Sequence, residues 1–390
     1  MRSISIFGAT GSIGQNTVDL IARAPGQFRV VALTGGANIA LLAKDAIRLG
    51  AELAVTAHDD RLDDLRAALK GTGITATAGA AALVEAADRP ADWVMSAIVG
   101  AAGLAPGFRA LRHGGTLALA NKESLVTAGP LLLAEAAAHR ATILPVDSEH
   151  SAVFQALVGE NIAAVERIII TASGGGLRDW PLDALASATV ADAGAHPNWA
   201  MGQRITIDSA SMFNKGMELI ETREFFGVSP GQIETVIHPQ SLIHALVGFN
   251  DGALMAHLGA PDMRHAIGYA LNWPDRRHLP VARLDLAQVA TLEFRAPDPA
   301  RYPALAIARA VMETGGRAGA VFNAAKEVAL DGFIAGRIGF MDMARIVEQT
   351  LDAMTSQISL TSSMTDLEDV LATDHMSRQT AWATITKMEL

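Results

Sequence analysis

Asp147, Ser148, Glu149 and His150 follow a short apolar run, residues 142–146, that has the composition of a strand. Read as extended chain, Asp147 and Glu149 project to the same side, because side chains alternate along a strand. Two carboxylates so placed can share one hard cation, and oxygen ligands of this kind suit Mg²⁺ or Mn²⁺. Taken alone, the pattern is an acidic strand end; it gains weight from its surroundings. Downstream, Ser209, Asn214 and Lys215 offer a hydroxyl, an amide and an ammonium, the donors that suit a phosphate monoester. Glu218 follows Lys215 by one helical step on nearly the same face. It is either half of a surface ion pair or a third carboxylate for the cation carried by Asp147 and Glu149. Ser173 opens a glycine turn, Gly174-Gly175-Gly176, able to present amides and a hydroxyl to an anion. His196-Pro-Asn-Trp199-Ala-Met-Gly202 is a loop bounded by Pro and Gly with one large ring, the make-up of a hinged flap that excludes water.

These groups need a scaffold, and the first third of the chain supplies a recognisable one. Ser3–Phe7 reads as a strand, residues 8–14 as a glycine turn (Gly8, Gly11, Gly14) and Gln15–Ala24 as a helix. That order is the context of a dinucleotide fingerprint: the glycines admit a pyrophosphate close to the backbone and the helix start offers free N–H groups. The second strand, Arg29–Leu33, ends in Thr34-Gly35-Gly36-Ala37-Asn38 with no acidic residue to hold a ribose 2′-hydroxyl, which favours NADP over NAD. Strands and helices then alternate to Ala120, predicting a doubly wound parallel sheet with ligands at the C-terminal strand ends. Asn121-Lys122-Glu123-Ser124 stands at one such end, where Lys122 aims into the crevice or the group merely caps a helix.

The 390 residues allow two or three domains. The expected organisation is a Rossmann-like nucleotide-binding domain over 1–147, an α+β catalytic domain over 148–272, a Pro-punctuated linker over 273–303 and a helical domain over 304–390. In the catalytic domain, strands near residues 234–237, 241–248 and 252–258 are expected to run antiparallel. Half of the residues are hydrophobic, which places the chain among compact globular proteins. A formal charge of −10 argues against a nucleic-acid or anionic-membrane partner. The absence of cysteine removes disulfides, thiolate metal sites and a thiol nucleophile. With no leader pattern and no apolar run near the ~18 residues of a membrane helix, a cytoplasmic location is expected.

Several strings, taken in order, resemble the 1-deoxy-D-xylulose 5-phosphate reductoisomerase family. They are Gly8-Ala-Thr-Gly-Ser-Ile-Gly14, Ala120-Asn-Lys-Glu-Ser-Leu-Val126, Pro145-Val-Asp-Ser-Glu-His150, His196-Pro-Asn-Trp199, Asn214-Lys-Gly-Met-Glu218 and His238-Pro-Gln-Ser241. The resemblance implies NADPH- and divalent-metal-dependent rearrangement and reduction of 1-deoxy-D-xylulose 5-phosphate to 2-C-methyl-D-erythritol 4-phosphate, in isoprenoid precursor synthesis. It implies Asp147, Glu149 and Glu218 as metal ligands, with Lys122, Ser148, Glu149 and His196 at the reacting end of the substrate. Ser173, Ser209, Asn214 and Lys215 become the phosphate pocket and Trp199 the flap's cover. Thr10, Gly11, Ser12, Ile13, Gly36, Asn38, Asn121, Glu123 and Gly202 become cofactor contacts, in a cytosolic homodimer. Three positions depart from the family pattern: Ala37 where some members carry Lys, Gly176 where Pro is usual, and Ala200 where Ser is usual. On the residues alone two other readings stay open: an NADP-linked dehydrogenase that needs no metal, and a non-catalytic NADP-sensing protein.

Overall fold

A strand buried on both faces must be covered from both sides. That is the condition of β1 (Arg2–Phe7), in which Ser3 to Phe7 are all buried. The computed structural model of the chain describes residues 1–196 and 202–388. After β1 come β2 (Phe28–Gly35), β3 (Leu53–Thr56), β4 (Thr75–Ala78), β5 (Trp93–Ser96), β6 (Thr116–Leu119) and β7 (Thr142–Pro145). They form a seven-stranded sheet in the order β4-β3-β2-β1-β5-β6-β7, parallel throughout. The order turns outward from β1 in both directions, which leaves a crevice at the C-terminal strand ends beside β1. The doubly wound sheet expected from the sequence is therefore present. β4, a short Thr-Ala-Thr-Ala run without large side chains, carries too little apolar signal to be found from sequence.

The chain packs as two units, one comprising residues 1–124, 132–151 and 262–282, the other residues 125–131, 152–261 and 283–390. This division cuts the chain at other places than the expected domain boundaries. Residues 262–282, read as the end of the catalytic domain and the start of a linker, belong to the first unit. The reason is burial: the helix Arg264–Asn272 sinks Ala266, Ile267, Ala270 and Leu271. The Ala270 carbonyl accepts from the indole N–H of the fully buried Trp93 at 3.1 Å, a donor that would be costly to leave unmatched.

The second unit holds β8 (Val165–Ala172), β9 (Ile233–Ile237), β10 (Ile243–Phe249) and β11 (Leu254–Leu258) in the order β11-β10-β8-β9. β10 pairs antiparallel with β11, as expected, and with β8; β9 runs parallel to β8 and so opposite in direction to β10. Strand direction is decided by the long helical excursion between β8 and β9, not by residues inside β9. The helices Pro303–Thr314, Ala318–Ile334, Asp342–Thr355 and Leu367–Met388 match the expected helical stretch. They pack in the same unit as the second sheet. Phe322, Val328, Ile346 and Ala381 share one core with Ile168 and Val247 of the sheet and Phe213 and Ile220 of the helix Phe213–Phe226.

The His238-Pro-Gln-Ser241 string serves this architecture. His238 is fully buried, with Nδ1 2.8 Å from the Glu293 carbonyl and Nε2 accepting from the Leu242 amide at 3.1 Å. Its ring stacks on Phe294. One imidazole thus pins the irregular segment around Glu293–Arg295 to the end of β9, where Ile237 and Arg295 exchange backbone bonds.

Candidate active site

In the first unit the glycine turn is built for close approach. Gly8 has φ +88°, and a β-carbon there would stand 2.4 Å from the Ala97 carbonyl oxygen. A β-carbon on Gly14 would stand 2.2 Å from the Gly8 oxygen, so the third glycine lets the helix start directly on the strand end. That helix runs Ser12–Ala22, earlier than the expected Gln15, and Gly11 ahead of it provides no side-chain cap. The amides of its first turn therefore point where a pyrophosphate would lie. The turn is stitched to β2: the Gly8 and Ala9 amides donate to the Thr34 hydroxyl and carbonyl at 3.0 and 2.7 Å. Gly35 lies against Thr10, where a β-carbon would come within 2.9 Å of the threonine methyl. Thr10, Gly11, Ser12, Ile13, Gly36 and Asn38 are thus gathered at the ends of the neighbouring strands β1 and β2. Asn38 also caps the helix Ile39–Leu49 through a bond from the Leu41 amide at 3.2 Å.

Asn121, also read as a cofactor contact, is buried and braces the protein itself. Its amide nitrogen donates to Ile98, Gly100 and Glu123 at 2.5, 3.0 and 3.2 Å, and its oxygen accepts from the Ser124 amide at 3.0 Å. That arrangement sets the turn after β5 against the turn after β6.

Lys122 stands at the head of the helix Glu123–Ala138. A cation there opposes the helix dipole, so its position needs another explanation. The ammonium, almost wholly buried, is ion-paired with Asp147 at the end of the neighbouring β7. Burial alone would raise the Asp147 pKa; Lys122 and His150 outweigh it and hold the carboxyl well below the usual carboxylate range.

Asp147 and Glu149 do not lie on one extended strand. β7 ends at Pro145, and a helix, Ser148–Ala156, begins between the two carboxylates. They still come together, with ligand atoms within 4.8 Å of one another. The cause is a carboxylate just ahead of a helix and another in its first turn, where the dipole favours negative charge. The Ser148 hydroxyl donates to Glu149 at 2.5 Å. His150, quoted in the motif but given no role from sequence, is fully buried and reaches Asp147 over the same distance limit. Two adjacent oxygen-donor groups fit a hard divalent cation.

In the second unit, Ser173 follows β8 and its Oγ lies 2.9 Å from His196 Nε2. The Gly175 amide donates to the same hydroxyl at 3.1 Å. The loop is held from three sides: Arg178 donates to the Ser173 carbonyl at 2.9 Å, Tyr302 to Gly174 at 3.1 Å and Arg301 to Leu177 at 2.9 Å. Gly175, at φ +70°, sits so close to Ala210 that a β-carbon would lie 2.4 Å from the Ala210 Cα. The Ser173 turn is thereby packed onto the end of the helix Gln203–Ala210, which carries Ser209 and starts after Gly202. Gly176 approaches the Ala195 carbonyl equally closely, leaving no room for a larger residue without a shift. Trp199 and Ala200 lie outside the described residues.

On the helix Phe213–Phe226, Asn214 donates to Glu218 Oε1 at 2.5 Å and Lys215 is ion-paired with Glu218 Oε2. This is not the surface pair that the spacing alone allowed: the side chains of Lys215 and Glu218 are 5% and 1% exposed. A buried pair on one helical face, beside Ser209 in sequence, keeps an ammonium, an amide and a carboxylate in one place.

Burial and the nearby Arg178 push the His196 pKa down to about 4. The folded chain therefore favours the neutral ring, with the Ser173 hydroxyl within hydrogen-bond distance of it. Because this pKa is depressed, the associated stability is fully present above the ordinary histidine value of about 6.5 and is lost as pH falls toward about 4. The melting temperature of the wild type is expected to fall faster than that of His196→Gln between pH 7 and pH 4. Parallel curves would mean that the ring titrates as it does in the unfolded chain.

The first unit has the anatomy of a dinucleotide-dependent oxidoreductase, and the second adds an anion-suited cluster of hydroxyl, amide and ammonium. Residues 4–129 match the family model described as 1-deoxy-D-xylulose 5-phosphate reductoisomerase. Residues 143–226 match its C-terminal domain model, and residues 258–380 a DXP reductoisomerase C-terminal domain model. The chain is 78% identical over 386 residues to the 1-deoxy-D-xylulose 5-phosphate reductoisomerase of Jannaschia sp. (strain CCS1), covering 99% of this chain and 98% of that protein. The Ruegeria pomeroyi (strain ATCC 700808 / DSM 15171 / DSS-3) protein of the same name is 69% identical, with the same coverage of each. A solved structure of the Zymomonas mobilis reductoisomerase in complex with NADPH superposes with a TM-score of 0.92 at 46% identity, over 98% of this chain and 99% of that one. A complex of a DOX-P reductoisomerase with NADPH, fosmidomycin and magnesium gives 0.94 at 38% identity, over 100% and 99%. The chain belongs to the 1-deoxy-D-xylulose 5-phosphate reductoisomerase family and is an NADP-dependent oxidoreductase.

Proposed function

We propose that the chain rearranges and reduces 1-deoxy-D-xylulose 5-phosphate to 2-C-methyl-D-erythritol 4-phosphate with NADPH and a divalent cation. Full-length membership of the family supports this reading, and the observation that carries it is the buried Asn214–Lys215–Glu218 cluster. One helix there joins phosphate-suited donors to a carboxylate that an ordinary dehydrogenase does not need. A divalent cation held by Asp147, Glu149 and Glu218 would supply Lewis-acid stabilisation of the substrate's oxyanion, and NADPH the hydride.

The rest is work for the chain's own side chains. Lys215, Asn214, Ser209 and Ser173 grip the phosphate and so fix the reacting carbons at a set distance from it. Lys122, with its charge balanced by Asp147, offers an ammonium to a substrate oxygen, and Ser148 orients Glu149. His196, neutral at physiological pH, serves as a hydrogen-bonding group, and Trp199 would cover the closed site. Glu123 and Gly202 complete the proposed cofactor contacts. The chain is further read as a cytoplasmic homodimer with no nucleic-acid or membrane partner. A formal charge of −10 supports the last point, and among the described residues no helix is long and apolar enough to cross a membrane. Sedimentation as a monomer would remove the homodimer.

The test follows NADPH absorbance with purified protein, Mn²⁺ or Mg²⁺ and 1-deoxy-D-xylulose 5-phosphate. Oxidation is expected only with both metal and sugar phosphate. Exhaustive chelation is expected to abolish it and added Mn²⁺ to restore it. Oxidation that survives chelation would indicate a metal-free dehydrogenase, and bound NADPH with no oxidation a sensor.

A further inference from the structure

The segment proposed to hold the phosphate carries an acidic residue in an awkward place. Asp208 immediately precedes Ser209 in the last turn of the helix Gln203–Ala210. Its side chain is 10% exposed. Oδ1 is buried without a hydrogen-bond partner among the described residues, and Oδ2 accepts from Lys326 Nζ at 3.0 Å. Lys326 is deeper still, 5% exposed, in the helix Ala318–Ile334. The same two helices are joined again at the other end by an exposed ion pair between Arg204 and Asp331. That outer pair is enough to mark their alignment, whereas the inner one buries two charges where apolar residues would pack at lower cost.

A half-satisfied carboxylate next to Ser209 has a consequence for an anionic ligand. In a medium of low dielectric its field reaches a bound phosphate with little screening. The overall charge of −10 supplies no compensation. Among the described residues, Lys326 is the cation ion-paired with it.

Resting on the phosphate reading of Ser209, Asn214 and Lys215, we propose that Lys326 is a positioning residue that neutralises Asp208, so that the Ser209 end of the helix accepts a phosphate. It acts through Asp208 and touches no reacting atom. A helix treated as remote from the site would then be part of what sets the affinity for sugar phosphate.

The experiment measures inorganic phosphate binding by calorimetry, and KM and kcat for 1-deoxy-D-xylulose 5-phosphate, in the full-length protein. The variants are Lys326→Met, Lys326→Arg, Asp208→Asn and the double variant Asp208→Asn/Lys326→Met, with NADPH binding followed by fluorescence. Lys326→Met is expected to weaken phosphate binding and raise KM about tenfold, the effect of one uncompensated nearby charge, while kcat and NADPH binding stay near wild type. Lys326→Arg and the double variant are expected to return KM close to the wild-type value, because each leaves no bare carboxylate. Asp208→Asn, which keeps the cation, is expected to bind phosphate at least as tightly as wild type. An unchanged KM in Lys326→Met, or a double variant as impaired as that single one, would overturn the proposal. Should Lys326→Met not fold, weaker phosphate binding by Asp208→Asn would overturn it as well. Lys215→Ala separates the two levels: if it too leaves phosphate binding unchanged, the pocket itself is misassigned; if it weakens binding and Lys326→Met does not, only the role of Lys326 falls.

Discussion

Glu218→Gln is expected to collapse turnover, by roughly two to three orders of magnitude, while NADPH still binds. The size follows from losing a metal ligand, since Lewis-acid stabilisation is worth several kcal/mol and each ~1.4 kcal/mol is tenfold in rate. The substitution keeps the side chain's shape and one acceptor, so Asn214 retains a partner. It removes the negative charge that Lys215 faces in a site where both side chains are almost fully buried. Leaving one member of such a pair costs about 3–5 kcal/mol of stability. The melting temperature should therefore fall as well, and kinetics belong at a temperature where the variant is folded. NADPH binding serves as the control because the fingerprint residues make none of these contacts. Turnover at the wild-type level in a folded variant would take Glu218 out of the metal site.

Lys215→Ala should act on substrate binding. A hydrogen bond from an ammonium to a phosphate is worth roughly 1.5–3 kcal/mol, so KM is expected to rise on the order of ten- to a hundredfold, with a smaller fall in kcat. The geometry adds a second expectation. In the structure the Lys215 ammonium is paired with Glu218, so its loss bares a buried carboxylate. Added Mn²⁺ should then stabilise Lys215→Ala against heat more than it stabilises the wild type, because it supplies the missing positive charge. Thermal melts with and without Mn²⁺ read this out. A KM unchanged from wild type would remove Lys215 from the phosphate pocket, whatever the melts showed.

Much of this site was legible because its parts are local. The strand, glycine turn and helix at residues 2–22 announce themselves through short-range sterics: Gly8 needs positive φ and Gly14 needs the absence of a β-carbon. The meeting of Asn214, Lys215 and Glu218 follows from helical periodicity alone. Asp147 and Glu149 meet for a different reason than a strand's period of two: the strand has already ended at Pro145, and a helix start produces the same proximity.

What local pattern cannot carry is adjacency between distant segments. Lys122 meets Asp147 because β6 and β7 are neighbours in the sheet. β9 lies parallel to β8 because of the chain between them. Residues 262–282 return to the first unit to bury an apolar helix face and give Trp93 an acceptor. Lys326 finds Asp208 across 118 residues. By itself the sequence determined the chemistry on offer: a dinucleotide turn, oxygen ligands for a hard cation and donors for a phosphate, all expressed through residue type and short spacing. Only the tertiary structure decided which charges are buried against which. Burial is a property of the packed chain as a whole, and the cost of an unpaired buried charge sets which partners must meet.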